Sequence, residues 1–410
     1  MKIAIFSDCY LDLTGGIVSS INAQKTALEK NGHTVYVFST GYPKSKTELK
    51  ELKNQNIFVV PSCRHFLHGI TPVSRRPKIV EAWLLKTCPE LKEFDVFYVH
   101  YEAGCSIAGL RLAKKLGIPS VQVMHGREDM GEKSLIPFGF RTIVAVTLNG
   151  LHASCLPHPK KVKKDDYLAD TFAKAKMWNL MVNHAVFADA LITPSEHFAR
   201  KLGHYGARKK IWILPNGFPD QKFLKKPKVR TLKAGETLKI IWHSRVSREK
   251  RIMPFLETLE KLQGKYHLDV YGDGPDLKRA KKFVKDHQLD VTFHGNASFE
   301  TVQKAIQDAD LDVLVSYNFD DYPSTLVEAE AAGLPVFICD PDMEEVIPAK
   351  SYLISKNETP EKMAESLNTI FAHPDKIAKM SKIMLKERDE VLMSNRIKLL
   401  EKIFNGIIKK

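Results

Sequence analysis

The sequence predicts an α/β protein of two doubly wound domains, each built on a parallel sheet, and three observations support this. The chain of 410 residues exceeds what one hydrophobic core ordinarily organises. Residues 2–38 follow the order strand, glycine turn, amphipathic helix and strand, which is typical of a βαβ unit with parallel strands. Residues 222–235 are rich in lysine, contain Pro227 and have few apolar side chains, so they are expected to link the two domains.

The first half of the chain contains seven short apolar runs that predict strands. They lie at residues 2–7, 35–38, 57–60, 96–100, 119–124, 190–194 and 211–214. Helices are expected between them at 17–30 and 105–116, and another after Ser195, a residue type that caps helices. His125 follows a strand, where ligands gather in parallel sheets, so it could bind a sugar hydroxyl or serve only as a structural loop histidine. Gly15 and Gly16 would let a ligand approach the backbone, although most such glycine pairs are simply turns.

The second half repeats the pattern, with strands expected at 238–243, 268–271, 291–293 and 311–316. Helices are expected at 301–308 and 325–332, with two or three more after Pro360. Arg245 and Lys250 follow the first of these strands. A planar guanidinium and a mobile ammonium five residues apart suit a diphosphate, and a charged surface loop is the alternative interpretation.

The stretch 313–336, VLVSYNFDDYPSTLVEAEAAGLPV, is the most informative part of the chain. An apolar strand leads to an acidic loop and then to a short helix that Gly333 and Pro335 terminate. Ser324 and Thr325 lie at the helix start, where free N–H groups form an anion site. Asp320 and Glu328 would accept hydrogen bonds from sugar hydroxyls. The pattern therefore fits a nucleotide sugar, or else a solvated acidic loop before an ordinary helix.

Composition limits the cellular setting. Six cysteines without a CxxC pair indicate a reducing compartment, with neither a disulfide framework nor a structural zinc site. The chain enters a strand at once, so no signal peptide is expected, and no apolar run approaches the roughly 20 residues that span a bilayer. We expect a cytoplasmic protein, or one attached peripherally to the cytosolic face of a membrane.

Charge is unevenly distributed along the chain. Residues 1–216 contain 30 Lys and Arg against 18 Asp and Glu, whereas residues 217–410 contain 32 against 30. A basic first half suggests an anionic surface, either lipid or nucleic acid, but no nucleic-acid motif accompanies it. Residues 65–91 and 150–181 mix basic with aromatic side chains, as interfacial membrane segments do, and ordinary amphipathic helices remain the alternative. No metal site is expected, because Arg245 and Lys250 can take up the negative charge of a diphosphate.

The segment that begins at Asp320 resembles the signature of retaining glycosyltransferases of family 4, in which an acid precedes a Glu by eight residues and Ala, Gly and Pro-Val follow. Further matching motifs are Gly15-Gly16, Gly32-His33, His125-Gly126, Pro215-Asn216-Gly217, Arg245 with Glu249-Lys250, and Gly272-Asp273-Gly274-Pro275. The resemblance covers nearly the whole chain and implies a GT-B fold, two Rossmann-like domains facing across a cleft. Residues 1–217 would bind the acceptor and residues 218–390 the nucleotide sugar, while a helix in 391–410 would cross back to the first domain.

The resemblance also implies roles for individual residues. Asp320 would face the donor hexose, Glu328 would bind the ribose, and Arg245 and Lys250 would bind the phosphates. The catalytic group would be Asp320, Arg245, Lys250 and His125. Donor-binding residues would be Gly15, Gly16, Ser244, Gly272, Gly274, His294, Asp321, Tyr322, Pro323, Ser324, Thr325 and Glu328. The first acid of the signature is usually Glu and is Asp here, which bears on the identity of the hexose.

The opening stretch IFSDCYLDLTGGIVSS resembles that of bacterial diacylglycerol α-glucosyltransferases. This implies transfer of a hexose, with UDP-glucose as the expected donor, to a membrane lipid such as diacylglycerol or a glycolipid, without cofactor, metal or nucleic acid. The alternatives are transfer to a polysaccharide, a protein-linked glycan or a soluble acceptor, epimerisation of a nucleotide sugar, and binding without catalysis.

Overall fold

The structure is a computed structural model that describes residues 1–8, 16–42, 45–63, 73–127, 138–207, 210–223 and 227–408. The chain divides into two compact units. Met1–Pro215 and Arg396–Lys410 form the N-terminal unit, and Asn216–Asn395 form the C-terminal unit. Each unit is built on a parallel sheet with helices on its faces, as its succession of strands and helices requires.

Within the described residues, the N-terminal unit contains a seven-stranded parallel sheet with strand order β3-β2-β1-β6-β7-β8-β9. The strands are β1 Lys2–Ser7, β2 Thr34–Ser39, β3 Ile57–Val59, β6 Val96–His100, β7 Ser120–Val123, β8 Ala190–Thr193 and β9 Ile211–Ile213, with a small antiparallel pair β4 Ser62–Cys63 and β5 Val73–Ser74. The helices are α1 Gly16–Lys30, α2 Lys46–Asn54, α3 Pro77–Thr87, α4 Gly104–Leu116, α5 Arg141–Ala153, α6 Phe172–Phe187 and α7 Glu196–His204. Phe6, Phe38 and Phe97 are fully buried between the sheet and its helices.

The C-terminal unit contains, in its described part, a six-stranded parallel sheet with order β12-β11-β10-β13-β14-β15. The strands are β10 Leu238–His243, β11 Tyr266–Tyr271, β12 Val291–Gly295, β13 Leu311–Leu314, β14 Val336–Ile338 and β15 Tyr352–Ile354. The helices are α8 Ile252–Leu259, α9 Leu277–Asp286, α10 Phe299–Asp308, α11 Ser324–Ala332, α12 Pro360–Ala372, α13 Asp375–Glu387 and α14 Met393–Ile408. The order reverses between β10 and β13, so their carboxyl ends define the point where doubly wound sheets bind ligands.

The last helix, α14, belongs to the N-terminal unit from Arg396 onward. There Phe404 packs edge-on against Tyr98, with ring centroids 5.2 Å apart. Glu401 Oε1 lies 2.8 Å from His33 Nε2 and accepts a hydrogen bond from Asn31 Nδ2 at 2.9 Å. Aromatic and polar contacts together hold the end of the chain to this unit.

The interpretation of residues 222–235 as a linker is wrong for the described part from 227 onward. Arg230 is buried, and its guanidinium donates to the carbonyl oxygens of Ile306 (3.1 Å) and Ala309 (3.0 Å) at the end of α10. Leu232 belongs to the hydrophobic core. A lysine-rich composition concealed one arginine that satisfies helix carbonyls which would otherwise lack donors.

The described parts of the two basic and aromatic stretches are largely packed into the fold. In α3, Val80 and Leu84 are fully buried, and residues 64–72 lie outside the described part. In the second stretch, Met177, Trp178, Leu180 and Met181 are buried in α6, whereas Leu151, Tyr167 and Phe172 are exposed. Across the described residues, no helix has the length and apolarity needed to cross a membrane.

Candidate functional site

The start of α11, in the C-terminal unit, is where the sequence predicts an anion site. Pro323 occupies the position before the helix and makes no side-chain capping bond, so the first N–H groups keep their capacity to donate. The buried hydroxyl oxygen Oγ1 of Thr325 also has no hydrogen-bond partner among the described residues. At the other end, Gly333 adopts φ 68° and closes the helix, as predicted.

Lys250 and Asp320 form a two-contact ion pair beside that helix. The Lys250 ammonium lies 2.7 Å from Asp320 Oδ1 and 2.8 Å from Oδ2, and the Ser316 hydroxyl also donates to this carboxylate. Both side chains are nearly buried, with exposed fractions of 11% and 12%. The structure therefore brings together the predicted phosphate ligand and the predicted hexose ligand, 70 residues apart in sequence.

A second buried cluster surrounds Glu328. Gln303 Nε2 donates to its carboxylate at 2.9 Å, and His243 Nδ1 lies 3.6 Å away. His243 Nε2 lies 3.2 Å from Asp312 Oδ1. Burial opposes the charge of His243, but the two carboxylates outweigh it and raise its pKa above the ordinary value. Burial raises the pKa of Glu328, and His243 partly offsets this.

His243 was missed by the sequence reasoning, although a signal for it existed. It is the last residue of the strand 238–243, at the carboxyl end of a parallel strand where ligand-binding residues gather. Nothing in the sequence, however, indicates that a histidine there would meet Asp312 from the neighbouring strand.

Arg245 differs from Lys250 in its surroundings. Its side chain is 57% exposed and pairs with Glu249 at 3.0 Å, and Ser247 Oγ donates to the same carboxylate at 2.7 Å. A cation that is already paired yet exposed can reorient toward a ligand at small cost. Its contact with a phosphate stays a prediction.

The predicted donor-binding glycines have a packing role. A β-carbon on Gly272 would lie 2.2 Å from the carbonyl oxygen of Ser244, and one on Gly274 would lie 2.4 Å from that of Val246. The loop after β10 therefore packs directly on the turn after β11. This explains both glycines without a ligand, and donor contacts by them and by Ser244 stay predictions.

The remaining predicted donor ligands lie around the same strand ends. His294 stacks on Tyr271 with ring centroids 4.2 Å apart, and its Nε2 lies 2.6 Å from Asp269 Oδ1. Asn216 Nδ2 donates to the carbonyl oxygen of Tyr322 at 2.8 Å, and Asp321 is buried. Their contact with a donor is untested and stays a prediction.

In the N-terminal unit, His125 pairs with another histidine. His125 Nε2 lies 2.8 Å from His100 Nδ1, and burial lowers the pKa of His125 to about 4. At neutral pH it is an uncharged hydrogen-bonding group, which suits a hydroxyl better than a phosphate. Gly16 begins α1, whereas Gly15 lies outside the described residues.

A chain of three further histidines links α5 and α6 in this unit. His152 Nδ1 lies 2.6 Å from His158 Nε2, and His152 Nε2 lies 2.9 Å from His184 Nδ1. Burial lowers the pKa of His152 to about 3 and that of His184 well below its ordinary value. No local spacing pattern in the sequence predicts that three histidines from separate segments come into contact.

Gln122 sets the direction of these hydrogen bonds. Its amide nitrogen donates to the carbonyl oxygens of Tyr101 and Val123, both at 2.9 Å, which leaves its oxygen facing His184 Nε2 at 3.0 Å. His184 Nε2 must therefore donate, so its Nδ1 accepts from His152, whose Nδ1 accepts in turn. His184 and His152 are therefore neutral with the proton on Nε2, and His158 donates to His152 through its own Nε2.

Asp8 is another residue that the sequence reasoning did not single out. Its carboxylate accepts hydrogen bonds from the backbone N–H groups of Cys105 (2.8 Å) and Ser106 (3.0 Å) and from the Ser106 hydroxyl (2.6 Å). A carboxylate at the start of α4 complements the helix dipole and fixes the carboxyl end of β1. Across the described residues, no group of three or more His, Cys, Asp or Glu side chains is arranged to hold a metal ion.

Comparison with known proteins identifies chains that are similar to this one. The chain is 24% identical over 352 residues to the alpha-monoglucosyldiacylglycerol synthase of Streptococcus pneumoniae, covering 82% of this chain and 70% of that protein. It is also 24% identical over 355 residues to the enzyme of the same name from Acholeplasma laidlawii, covering 82% and 80%. Among solved structures, Anabaena HepE in complex with UDP and glucose has a TM-score of 0.65 at 14% identity, covering 99% of this chain and all of that one.

Two family profiles together cover most of the sequence. The one described as Glycosyltransferase Family 4 matches residues 14–222, and the one described as Glycosyl transferases group 1 matches residues 225–386. The two parallel-sheet Rossmann-like units confirm the predicted GT-B fold. The chain belongs to glycosyltransferase family 4 and is a glycosyltransferase.

Proposed function

We propose that this chain transfers a hexose, glucose in the simplest case, from a UDP-sugar to a hydroxyl of a membrane lipid such as diacylglycerol or a glycolipid, with retention at the anomeric carbon. It would act peripherally on the cytosolic face of the membrane. The relatives named alpha-monoglucosyldiacylglycerol synthase support the acceptor class, and the UDP complex of HepE supports the nucleotide.

The observation that carries the proposal is the arrangement in the C-terminal unit. The Lys250–Asp320 pair lies beside the uncapped start of α11, and Glu328 is one turn into that helix. A diphosphate needs fixed positive groups, which the ammonium and the helix N–H groups supply. Sugar hydroxyls need acceptors, which Asp320 and Glu328 supply. A sugar nucleotide carries its diphosphate and its sugars in one molecule, so it requires the positive groups and the acceptors close to each other.

The reaction must stabilise a departing diphosphate and a cationic sugar. Lys250, Arg245 and the N–H groups at Ser324 and Thr325 would take up negative charge as the bond to the sugar breaks. The acceptor hydroxyl would attack on the face that the diphosphate leaves, and its proton would pass to the diphosphate oxygen. Asp320 would orient the hexose while its charge favours the cationic transition state.

Incubation of the purified protein with UDP-glucose and diacylglycerol in mixed micelles tests this directly. We expect a monoglucosyl lipid with an α linkage, identified by mass spectrometry and by the anomeric proton coupling. A reaction without acceptor, analysed for an altered sugar nucleotide, is the control for epimerisation. Absence of lipid glycosylation with a panel of UDP-sugars, together with transfer to a soluble glycan, would contradict the proposed acceptor.

A further inference from the structure

Helix α5, Arg141–Ala153, presents its apolar side to solvent and its polar side to the protein. Its buried positions are Ala145, Asn149 and His152, which recur at helical spacing. On the opposite side Ile143 and Leu151 are 62% and 61% exposed. The exposed apolar residues of this segment, here called the α5 face, are Phe140, Ile143, Val146, Leu148 and Leu151. This is the reverse of an ordinary surface helix.

Hydrogen bonds hold the helix in this orientation. Asn149 Nδ2 donates to the carbonyl oxygen of Lys176 at 3.0 Å, and His152 lies in the chain that joins His158 to His184. Rotating α5 to bury its apolar side would break each of these hydrogen bonds. The apolar face is therefore fixed toward the outside by the polar interior.

The charge pattern around the helix changes abruptly. Residues 142–159 contain no Asp, Glu, Lys or Arg, whereas four lysines follow within residues 160–164. Lys161, Lys163 and Lys164 are exposed. On α6, next to Asn149, the Lys176 ammonium lies 5.0 Å from the ring of Phe172, which is itself 54% exposed. An uncharged apolar face that is followed in sequence by a lysine run, before Asp165 and Asp166, matches the profile of an anionic bilayer, apolar within and negative at its surface.

We infer that the α5 face docks on an anionic lipid bilayer and places the N-terminal unit at the membrane that supplies the acceptor. This inference rests on the proposed function, which supplies the lipid acceptor. The apolar side chains of the α5 face enter the boundary between headgroups and acyl chains, and the lysines of residues 160–164 contact the anionic headgroups.

Two considerations favour a bilayer over a second copy of the chain. A helix of 13 residues is about 20 Å long, so one face of it offers far less than the roughly 800 Å² per partner of a stable interface. Two copies joined there would also bring their lysine runs close together. A bilayer instead neutralises those charges.

Vesicle co-sedimentation of the full chain tests the docking. We use vesicles of phosphatidylcholine with phosphatidylglycerol, compared with pure phosphatidylcholine. The double variant Ile143→Ser/Leu151→Ser should bind the anionic vesicles about tenfold more weakly or worse, because both side chains lose their insertion. The matched control is Val229→Ser, an exposed apolar residue of the C-terminal unit, and should bind like the wild type.

A charge variant gives a second reading that needs no apolar substitution. Lys163→Glu/Lys164→Glu should weaken binding by about fivefold or more per lysine, and added salt should reduce the difference. Lys281→Glu/Lys282→Glu, with two exposed lysines on α9, makes the same charge change and should have a smaller effect. Thermal unfolding of every variant checks that it is folded.

The outcomes separate docking from catalysis. Wild-type binding that both Ile143→Ser/Leu151→Ser and Lys163→Glu/Lys164→Glu weaken as stated, with UDP-induced thermal stabilisation unchanged, supports the inference even if no lipid is glycosylated. Transfer to diacylglycerol in micelles by a wild type that does not bind vesicles overturns the inference and leaves the proposed function standing. Loss of a dimer on size-exclusion chromatography of the Ile143→Ser/Leu151→Ser variant, with vesicle binding unchanged, also overturns it.

Discussion

The two units share a doubly wound parallel sheet but organise their polar groups in opposite ways. In the C-terminal unit, buried basic groups near the strand ends pair with carboxylates, as Lys250 with Asp320 and His243 with Asp312. In the N-terminal unit, apart from the buried Asp8 carboxylate, the buried polar groups include histidines joined ring to ring whose pKa burial lowers, as His100 with His125 and His152 with His184. The same topology therefore supports an ionic site and a neutral one.

This difference matches two different chemical tasks. The Lys250 ammonium can exchange its carboxylate partner for an incoming phosphate if Asp320 accepts hydrogen bonds from sugar hydroxyls in return. Neutral imidazoles offer donors and acceptors for hydroxyl groups without attracting phosphate. The comparison thus supports binding of the nucleotide by the C-terminal unit and of uncharged hydroxyls by the N-terminal unit.

Removing the Lys250 ammonium should have the largest effect. Lys250→Met keeps most of the side-chain volume but removes the positive group beside the diphosphate. We expect turnover of UDP-glucose to fall by about 10²–10³-fold, since loss of one transition-state donor typically costs about 2.7–4 kcal/mol. Steady-state kinetics measure this, with circular dichroism as the check on folding.

Arg245→Met is the matched comparison for that variant. Arg245 is exposed and pairs with Glu249, which keeps its hydrogen bond from Ser247 Oγ when Arg245 is removed. We expect a smaller loss of turnover than for Lys250→Met. Equal activity of Lys250→Met and wild type would defeat the assignment of Lys250.

The next largest effect concerns stability of the C-terminal unit. Arg230→Met removes the buried guanidinium that binds the carbonyl oxygens of Ile306 and Ala309. We expect the free energy of unfolding to fall by about 3 kcal/mol, because the hydrogen bonds from the charged guanidinium are lost and the buried carbonyl oxygens are left unpaired. Urea unfolding measures it, with the exposed Arg279→Met as control. A loss no greater than that of Arg279→Met would show that the capping contributes nothing.

A smaller effect concerns pH and separates the two units. The ordinary histidine pKa is about 6.5, and that of His152 is lowered to about 3, so below pH 6.5 the unfolded chain binds a proton that the folded chain excludes. Stability of the N-terminal unit should therefore fall as pH falls, by up to about 1.4 kcal/mol per pH unit for each such histidine. His243 has a raised pKa, so its contribution is present at low pH and is lost as pH rises through that value.

Hydrogen exchange on peptides from 141–187 and from 238–243 reports the two units separately. Between pH 7 and 5, the first set should lose protection in the wild type and lose less in His152→Gln, after correction for intrinsic exchange. An identical pH slope in wild type and variant would contradict the assignment of a neutral His152.

Much of the fold could be predicted from the sequence because its strands are short, apolar and separated by turn residues. Lys2–Ser7, Val96–His100 and Leu238–His243 match their predicted bounds, and Gly333 ends α11 as expected. Helices after Pro360 number three in the described chain, within the expected two or three. Local pattern sufficed wherever a strand or helix buries a regular face.

Contacts between distant segments could not be predicted in the same way. The sequence indicated Lys250 and Asp320 separately, but not that they bind one another. The inner face of α5 was missed because Asn149 and His152 are polar, and a polar inner face reverses the pattern from which helices are inferred. The lysine-rich stretch hid Arg230 because composition averages over a segment, whereas one buried side chain depends on its partners.

A crystal structure of the protein soaked with UDP tests the central claim most directly. We predict the diphosphate within hydrogen-bonding distance of Lys250 Nζ and of the N–H groups at Ser324 and Thr325, with the ribose hydroxyls on Glu328. A nucleotide bound with its phosphates away from both Lys250 and the start of α11 would contradict the account.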